Sequence, residues 1–217
     1  MLEVDHEREP MPEGQQTTSA LPSADVLEKW TTCVRTRTGA LVCIRPLRSD
    51  DRAREIAFLN SLSEQSRYFR LFTPLKFLPP HLVDQLMDVD YQGRMAFVAT
   101  IQRDGSEEFV GVARYAAADQ PATVELGITV TDAWHRHGIA RLLLDHLMRF
   151  ARWRGIRHIV GLVLPENQPM IALAARAGFH HAFDTAQHLV VISRDLSDVA
   201  AEVSSDASVS AAASPHS

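Results

Sequence analysis

The segment Trp134-His135-Arg136-His137-Gly138-Ile139-Ala140-Arg141 joins a stretch of strand periodicity to a long amphipathic one. Small residues at 138 and 140 let the backbone approach a ligand closely, and the first N–H groups of a helix starting there have no partner within the helix. With the positive end of the helix dipole they form a cradle for an anion such as a phosphate. A tight turn that simply needs glycine explains the same spacing. Glu125 is the second group able to do chemistry. In the run Val124–Val130, residues Val124, Leu126, Ile128 and Val130 fall on one strand face, and Glu125, Gly127 and Thr129 on the other. A carboxylate sharing a face with a glycine, next to an anion cradle, is placed to take a proton from a bound nucleophile. An ordinary solvent-facing strand carboxylate is the alternative.

His135 and His137 form His-x-His, and His180 and His181 are adjacent. Adjacent strand residues point apart and no set of acids or thiols accompanies these histidines, so no metal site is expected. Cys33 and Cys43 are the only thiols, ten positions apart in one predicted hairpin and remote from the segments above. Neither a disulfide scaffold nor a catalytic thiol is expected.

The elements that must position these residues alternate along the chain. Val34–Arg37 and Leu41–Arg45 flank Thr38-Gly39, a turn signal consistent with a hairpin. Ser49 and Asp50 can cap a helix through Ala53, Ile56, Ala57 and Leu59, and Pro79-Pro80 opens another through Leu82, Leu86 and Met87. Ala96–Ile101, Phe109–Tyr115 and Val124–Val130 read as three successive antiparallel strands. The longest helix runs from near Gly138 to about Arg154, with Ile139, Leu143, Leu147 and Phe150 on one face and Arg141, Asp145, Arg149 and Arg152 on the other. His158–Leu164 suits a buried central strand, Pro169 starts a helix that Gly178 ends, and Phe179–Phe183 with His188–Ser193 form a last hairpin. The fold class is α/β of the α+β kind, a mixed, mostly antiparallel sheet with flanking helices.

With 217 residues, 46% of them hydrophobic, the chain supports one full-sized core. The ends differ in composition from the middle: residues 1–27 and 195–217 are acidic, rich in small and polar residues, and expected to be disordered. The whole chain is formally −5, yet the stretch 28–194 between those ends is +4, so the expected domain suits an anionic ligand. No basic stripe interleaved with aromatics points to nucleic acid. No apolar run is long enough for a membrane span or a secretion signal, which leaves the cytoplasm as the expected compartment.

The segment 134–141 resembles the acyl-CoA pyrophosphate loop of the GNAT superfamily of acyltransferases, a Gln/Arg-x-x-Gly-x-Gly/Ala pattern after a strand and before a helix. Gly138 and Ala140 match the small positions, and His135 stands where the family prefers Gln or Arg. At the expected distance, Asn167, Met170, Leu173, Gly178 and Phe179 resemble the Asn-x-x-Ala-x-x-Leu…Gly-Phe pattern of the family's next helix. Ile44-Arg45-Pro46 and the stretch Leu62-Ser63-x-x-Ser66-x-Tyr68-x-Arg70-x-Phe72 are similar to the GNAT domains of Pat-type bacterial protein lysine acetyltransferases. In those proteins the domain is usually fused to a further region that this chain has no room for, so the catalytic module is expected to stand alone.

The resemblance implies a GNAT fold and an N-acetyltransferase that binds acetyl-CoA, uses no metal, and lets an amine attack the thioester directly in a ternary complex. Glu125 takes the place of the general base. Backbone groups of Ile128, Thr129 and Val130 face the thioester oxygen, and Arg136, His137, Gly138, Ile139, Ala140 and Arg141 hold the CoA phosphates. Two roles stay open for Asn167, a hydrogen bond to the pantetheine arm or the start of the helix at Pro169. Arg141 either meets phosphate or pairs with Asp145 one turn on. Ser66–Arg70 either lines the acceptor side or belongs to the core, since Tyr68, Leu71 and Phe72 fall at helical spacing. The family's usual acid, a Tyr, is replaced here by Ala174. Protein lysine side chains are the first expectation for the acceptor. Small amines, or a non-catalytic acyl-CoA-binding module, are the alternatives.

Overall fold

β-branched and aromatic residues alternate through the middle of the chain and build the sheet on which everything else rests. A computed structural model describes residues 22–36, 38–73 and 78–197. Its eight strands are β1 Thr32–Arg35, β2 Leu41–Pro46, β3 Arg94–Arg103, β4 Ser106–Ala117, β5 Thr123–Val130, β6 His158–Val163, β7 His180–Asp184 and β8 Leu189–Asp195. Their order across the sheet is β1-β2-β3-β4-β5-β6-β8-β7. Every neighbouring pair is antiparallel except β5 with β6, which is parallel. This is the fold class expected from the sequence.

Among the described residues six helices flank the sheet: α1 Ala24–Glu28, α2 Arg52–Ser61, α3 Glu64–Leu71, α4 Pro80–Met87, α5 Ile139–Trp153 and α6 Gln168–Arg176. The apolar stripe of α5 buries Ile139, Leu143, Leu147 and Phe150 in the larger core, among Phe97, Ala113, Tyr115 and Leu126. Each such side chain contributes roughly 1.5–3 kcal/mol by leaving water. A smaller core on the opposite face gathers Phe58, Leu59, Val83 and Leu86 of α2 and α4 against Val98 and Val112. The helices α2, α3 and α4 of the connection between β2 and β3 thus cover one face, and α5 and α6 cover the other.

Three expectations need correction. Among the described residues a helix already starts at Ala24, within the segment 1–27 expected to be disordered, and Ser23 caps it by accepting from the Val26 N–H. At the other end β8 reaches Asp195 and Leu196 is buried, so the first apolar residue of the tail belongs to the core. The remainder of both end segments, and Arg37 in the first hairpin, lie outside the described residues. Cys33 and Cys43, expected to be unconnected, form a disulfide. The hairpin register sets them directly opposite one another with Cα atoms 4.0 Å apart, which places the two sulfurs within bonding reach. Tyr68 and Phe72 are exposed, so the helical spacing of Ser66–Phe72 marks a surface helix and not a core one.

Candidate active site

Strands β5 and β6 pair over only three rungs, Thr123 with His158, Val124 with Ile159, and Glu125 with Val160. Beyond Glu125 they part, although β5 continues to Val130 and β6 to Val163. β4 keeps pairing with β5 on its other side up to Val130. The backbone edge of β5 beyond Glu125 is therefore left without a β6 partner, and buried backbone groups require partners. A cavity of about 50 Å³ lies in this fork, with Gly127 and Ile128 on one wall, Gly161 and Leu162 on the other, and Asn167 at its margin. Thr129, also past the last rung, carries a buried Oγ1 with no hydrogen-bond partner among the described residues.

The chain leaves β5 through a short 3-10 turn at Asp132–Trp134 and enters α5. Gly138 is the N-cap of that helix with φ of +82°, a left-handed conformation that residues with a Cβ adopt at a cost. No side chain caps the first turn of α5. Its early N–H groups, those of Ile139, Ala140 and Arg141, are thus open to an anion, as the sequence suggested. Arg136 reaches φ of +63° and is exposed beside them. His135 turns its ring inward, and its Nε2–H donates to the Val130 carbonyl at 2.9 Å. The imidazole that departs from the family's Gln or Arg therefore staples the loop to the end of β5. His137 packs its ring on Trp134 and its Nδ1–H donates to the His135 carbonyl.

The Arg141 side chain makes the pair with Asp145 that its spacing offered. Its Nε donates to both Asp145 oxygens, at 3.0 and 2.9 Å, and its Nη1 donates to the Arg176 carbonyl at the end of α6. The backbone of residue 141 stays at the cradle while its side chain ties α5 to α6. Asn167 starts α6, its Oδ1 accepting from the Met170 N–H, and the same residue lines the fork. Ala174 is fully buried, so its position offers no proton donor.

Glu125 is exposed and lines two cavities at once. The second, of about 280 Å³, lies on the α4 side of the sheet, lined by Leu86, Asp88, Arg94, Arg114, Tyr115 and Glu125, among others. Arg114 Nη2 donates to Glu55 at 2.6 Å and its Nη1 to the Leu86 carbonyl at 2.7 Å. Arg94 pairs with Asp88 and Asp90.

Two features were not singled out from the sequence. Arg70, at the end of α3, lies over Gly127 so closely that a Cβ at 127 would stand 3.0 Å from its Cζ and Nη1. It lines both cavities. The signal was present in the resemblance of the stretch 62–72, but sequence spacing could not bring that residue onto β5. The second feature is what holds α3 there. Asp132 accepts from the Ser63 N–H at 3.1 Å and from the hydroxyls of Ser63 and Ser66, each at 2.9 Å. Burial works to raise its carboxyl, but these hydrogen bonds outweigh it and hold the group below its ordinary range.

Comparison with known proteins agrees with this geometry. Residues 62–179 match the profile of the acetyltransferase (GNAT) family. An acetyltransferase of Pseudomonas aeruginosa is 40% identical over 156 residues, covering 72% of this chain and 84% of that protein. Among solved structures, the GNAT domain of S. lividans PAT is 31% identical with a TM-score of 0.69, covering 77% of this chain and 97% of the domain. A cAMP-binding acyltransferase from Mycobacterium smegmatis shares the fold at 24% identity and a TM-score of 0.52, covering 78% of this chain and 49% of the larger protein.

Proposed function

Because this chain belongs to the acetyltransferase (GNAT) family, and is thereby an N-acetyltransferase, we propose that it carries the acetyl group of acetyl-CoA to a primary amine, with protein lysine side chains as the acceptors. The observation that carries this reading is the position of Glu125. Its carboxylate lines both cavities at the rung where the sheet opens, so a donor in the fork and an acceptor on the α4 side meet at one group.

The fork and the cradle suit an acyl-CoA. The backbone edge of Ile128, Thr129 and Val130, past the last rung, offers hydrogen-bonding groups to the thioester and pantetheine end, apart from the Val130 carbonyl that His135 occupies. Asn167 flanks the same path. The residues Arg136, His137, Gly138, Ile139, Ala140 and Arg141 offer backbone N–H groups to the pyrophosphate, with the Arg136 guanidinium as the exposed charge beside them.

An amine acceptor is almost wholly protonated at neutral pH, so it must lose a proton before it can attack. Glu125 receives that proton, directly or through a water. No thiol or hydroxyl is needed as an intermediate acyl carrier, and both cysteines are held in the disulfide far along the sheet. The acceptor cavity argues for a lysine in a protein over a polyamine: Arg70, Arg94 and Arg114 line it against the carboxylates of Asp88 and Glu125. A polycation is repelled by such a surface, whereas a single lysine on a flexible stem presents one charge to Glu125.

The test is to incubate the purified chain with acetyl-CoA and a panel of lysine-bearing proteins, lysine peptides, free amino acids and polyamines, following thiol release and the mass of each acceptor. Acetylated lysines are expected. Preferential acetylation of polyamines would overturn the choice of acceptor, and thiol release that leaves every amine of the panel unacetylated would overturn the transfer.

A further inference from the structure

Arg70 presents a charge that the reading above does not use. Its guanidinium rests on the backbone of Gly127, in the volume a side chain there would fill, and it forms part of the wall of both cavities. Three charged groups face it: Arg114 from β4, Glu55 from α2 and Glu125 from β5. Glu55 is already committed to Arg114 at 2.6 Å. Among the described residues no carboxylate forms an ion pair with Arg70 itself. A half-buried cation without a close partner costs stability, and such groups concentrate where charge is needed for chemistry. Desolvation, with Arg114 adding to it, pulls the guanidinium down to about 10, which still leaves it charged at neutral pH.

The fork offers no other cation. Of the described residues lining it, Arg70 alone carries a positive charge, and Ala174 supplies no acid for a departing thiolate. We infer that Arg70 is a catalytic residue whose guanidinium stabilises the negative charge that develops on the thioester during acetyl transfer. This rests on the reading of the fork as the donor site and of Glu125 as the base.

The bookkeeping of the step assigns the two residues opposite tasks. The amine nitrogen forms the new C–N bond, the C–S bond breaks, and sulfur leaves with the electron pair. Protons from the nitrogen pass to Glu125 and on to solvent, and the thiolate is protonated from water. Positive charge therefore appears on nitrogen, beside Glu125, while negative charge appears first on the carbonyl oxygen and then on sulfur. A fixed guanidinium between the cavities is positioned for the second, and preorganised charge in a dry site acts most strongly there.

The experiment compares Arg70→Met, Arg70→Gln and Arg70→Lys with the wild type. It measures kcat with a fixed amine acceptor, the acetyl-CoA Kd by calorimetry, and thiol release from acetyl-CoA with no amine present. The Met and Gln variants are expected to lose about 10²–10³-fold in kcat, as when a single charge-stabilising donor is removed, with Kd little changed. Lys keeps the charge and is expected to retain most of the activity. Adding guanidinium ion to Arg70→Ala should restore part of the lost rate. A Met variant as active as wild type overturns the inference, and so does a Lys variant as defective as Met, since that result assigns Arg70 to packing. If the wild type acetylates no amine, the acceptor reading fails alone. Thiol release then still judges Arg70, because attack by water places the same negative charge on the thioester.

Discussion

Glu125 stands opposite Val160 on the last rung that joins β5 to β6. The proposed base thus sits where the sheet divides, fixed by a strand pair on one side and open to a ligand on the other. Replacing it by Gln keeps shape and hydrogen bonding but removes the proton acceptor. Loss of general base catalysis is expected to lower kcat by about 10²–10⁴-fold while acetyl-CoA binding stays intact. Steady-state kinetics alongside calorimetry checks both halves, and unchanged turnover overturns the assignment.

Gly138 carries the cradle at φ of +82°. A Cβ in that left-handed conformation costs about 1–2 kcal/mol, so Gly138→Ala should unfold at lower denaturant. The same change tilts the first-turn N–H groups away from their common focus. Acetyl-CoA is expected to bind more weakly, read by calorimetry, and binding equal to wild type would remove the loop from the donor site.

Asp132 holds the start of α3 through three hydrogen bonds, and its carboxyl lies below its ordinary range for that reason. A depressed carboxyl stabilises the fold fully above its unfolded value, near 4, and the contribution is lost as pH falls through the lower folded value. Asp132→Asn should therefore reduce the dependence of stability on pH in the acid range below about 4 and leave it unchanged near neutrality. Denaturant titrations at several pH values measure this. A wild-type-like acid profile in the variant would show that other carboxylates carry the effect.

The Cys33–Cys43 disulfide closes a short loop in the hairpin farthest along the sheet from β6 to β7. Cross-links of such loops stabilise by about 2–3 kcal/mol through the unfolded chain. Reductant, or Cys33→Ser with Cys43→Ser, should lower the Tm. Turnover below the new transition should not change, since three strands separate β1 from β5. Loss of turnover on reduction in the folded range would tie the hairpin to the site.

The parts legible in the sequence are those governed by local periodicity. The stripe Ile139, Leu143, Leu147 and Phe150 defined α5, and the alternation through residues 96–130 defined β3, β4 and β5. Gly138 and Ala140 left an anion cradle and a simple tight turn both open, and the strand face of Glu125 came from the period of two. What escaped depends on pairing between distant segments. The disulfide needed the register of β1 on β2, which the turn residues did not specify. Arg70 reaches Gly127 only because α3 is hung from Asp132, a contact between residues 63–66 and the end of β5. His135 was read as a departure from a motif because its partner, the Val130 carbonyl, becomes visible only once the chain turns. Arg141 had both roles open, and the Arg176 carbonyl that its side chain also reaches belongs to another helix.

The three rungs between β5 and β6 also bear on how the molecule yields. On one side of that seam lie five strands, on the other three, and few backbone bonds cross it. Helix α5 packs on the first section, and its Arg141 bridge to α6 reaches across to the second. A ligand wedged in the fork would act as a rivet across the seam. Bound acetyl-CoA should therefore slow amide hydrogen exchange in β6 and in β5 beyond residue 125 more than in β1 or β2, because it closes the line along which the sheet would tear.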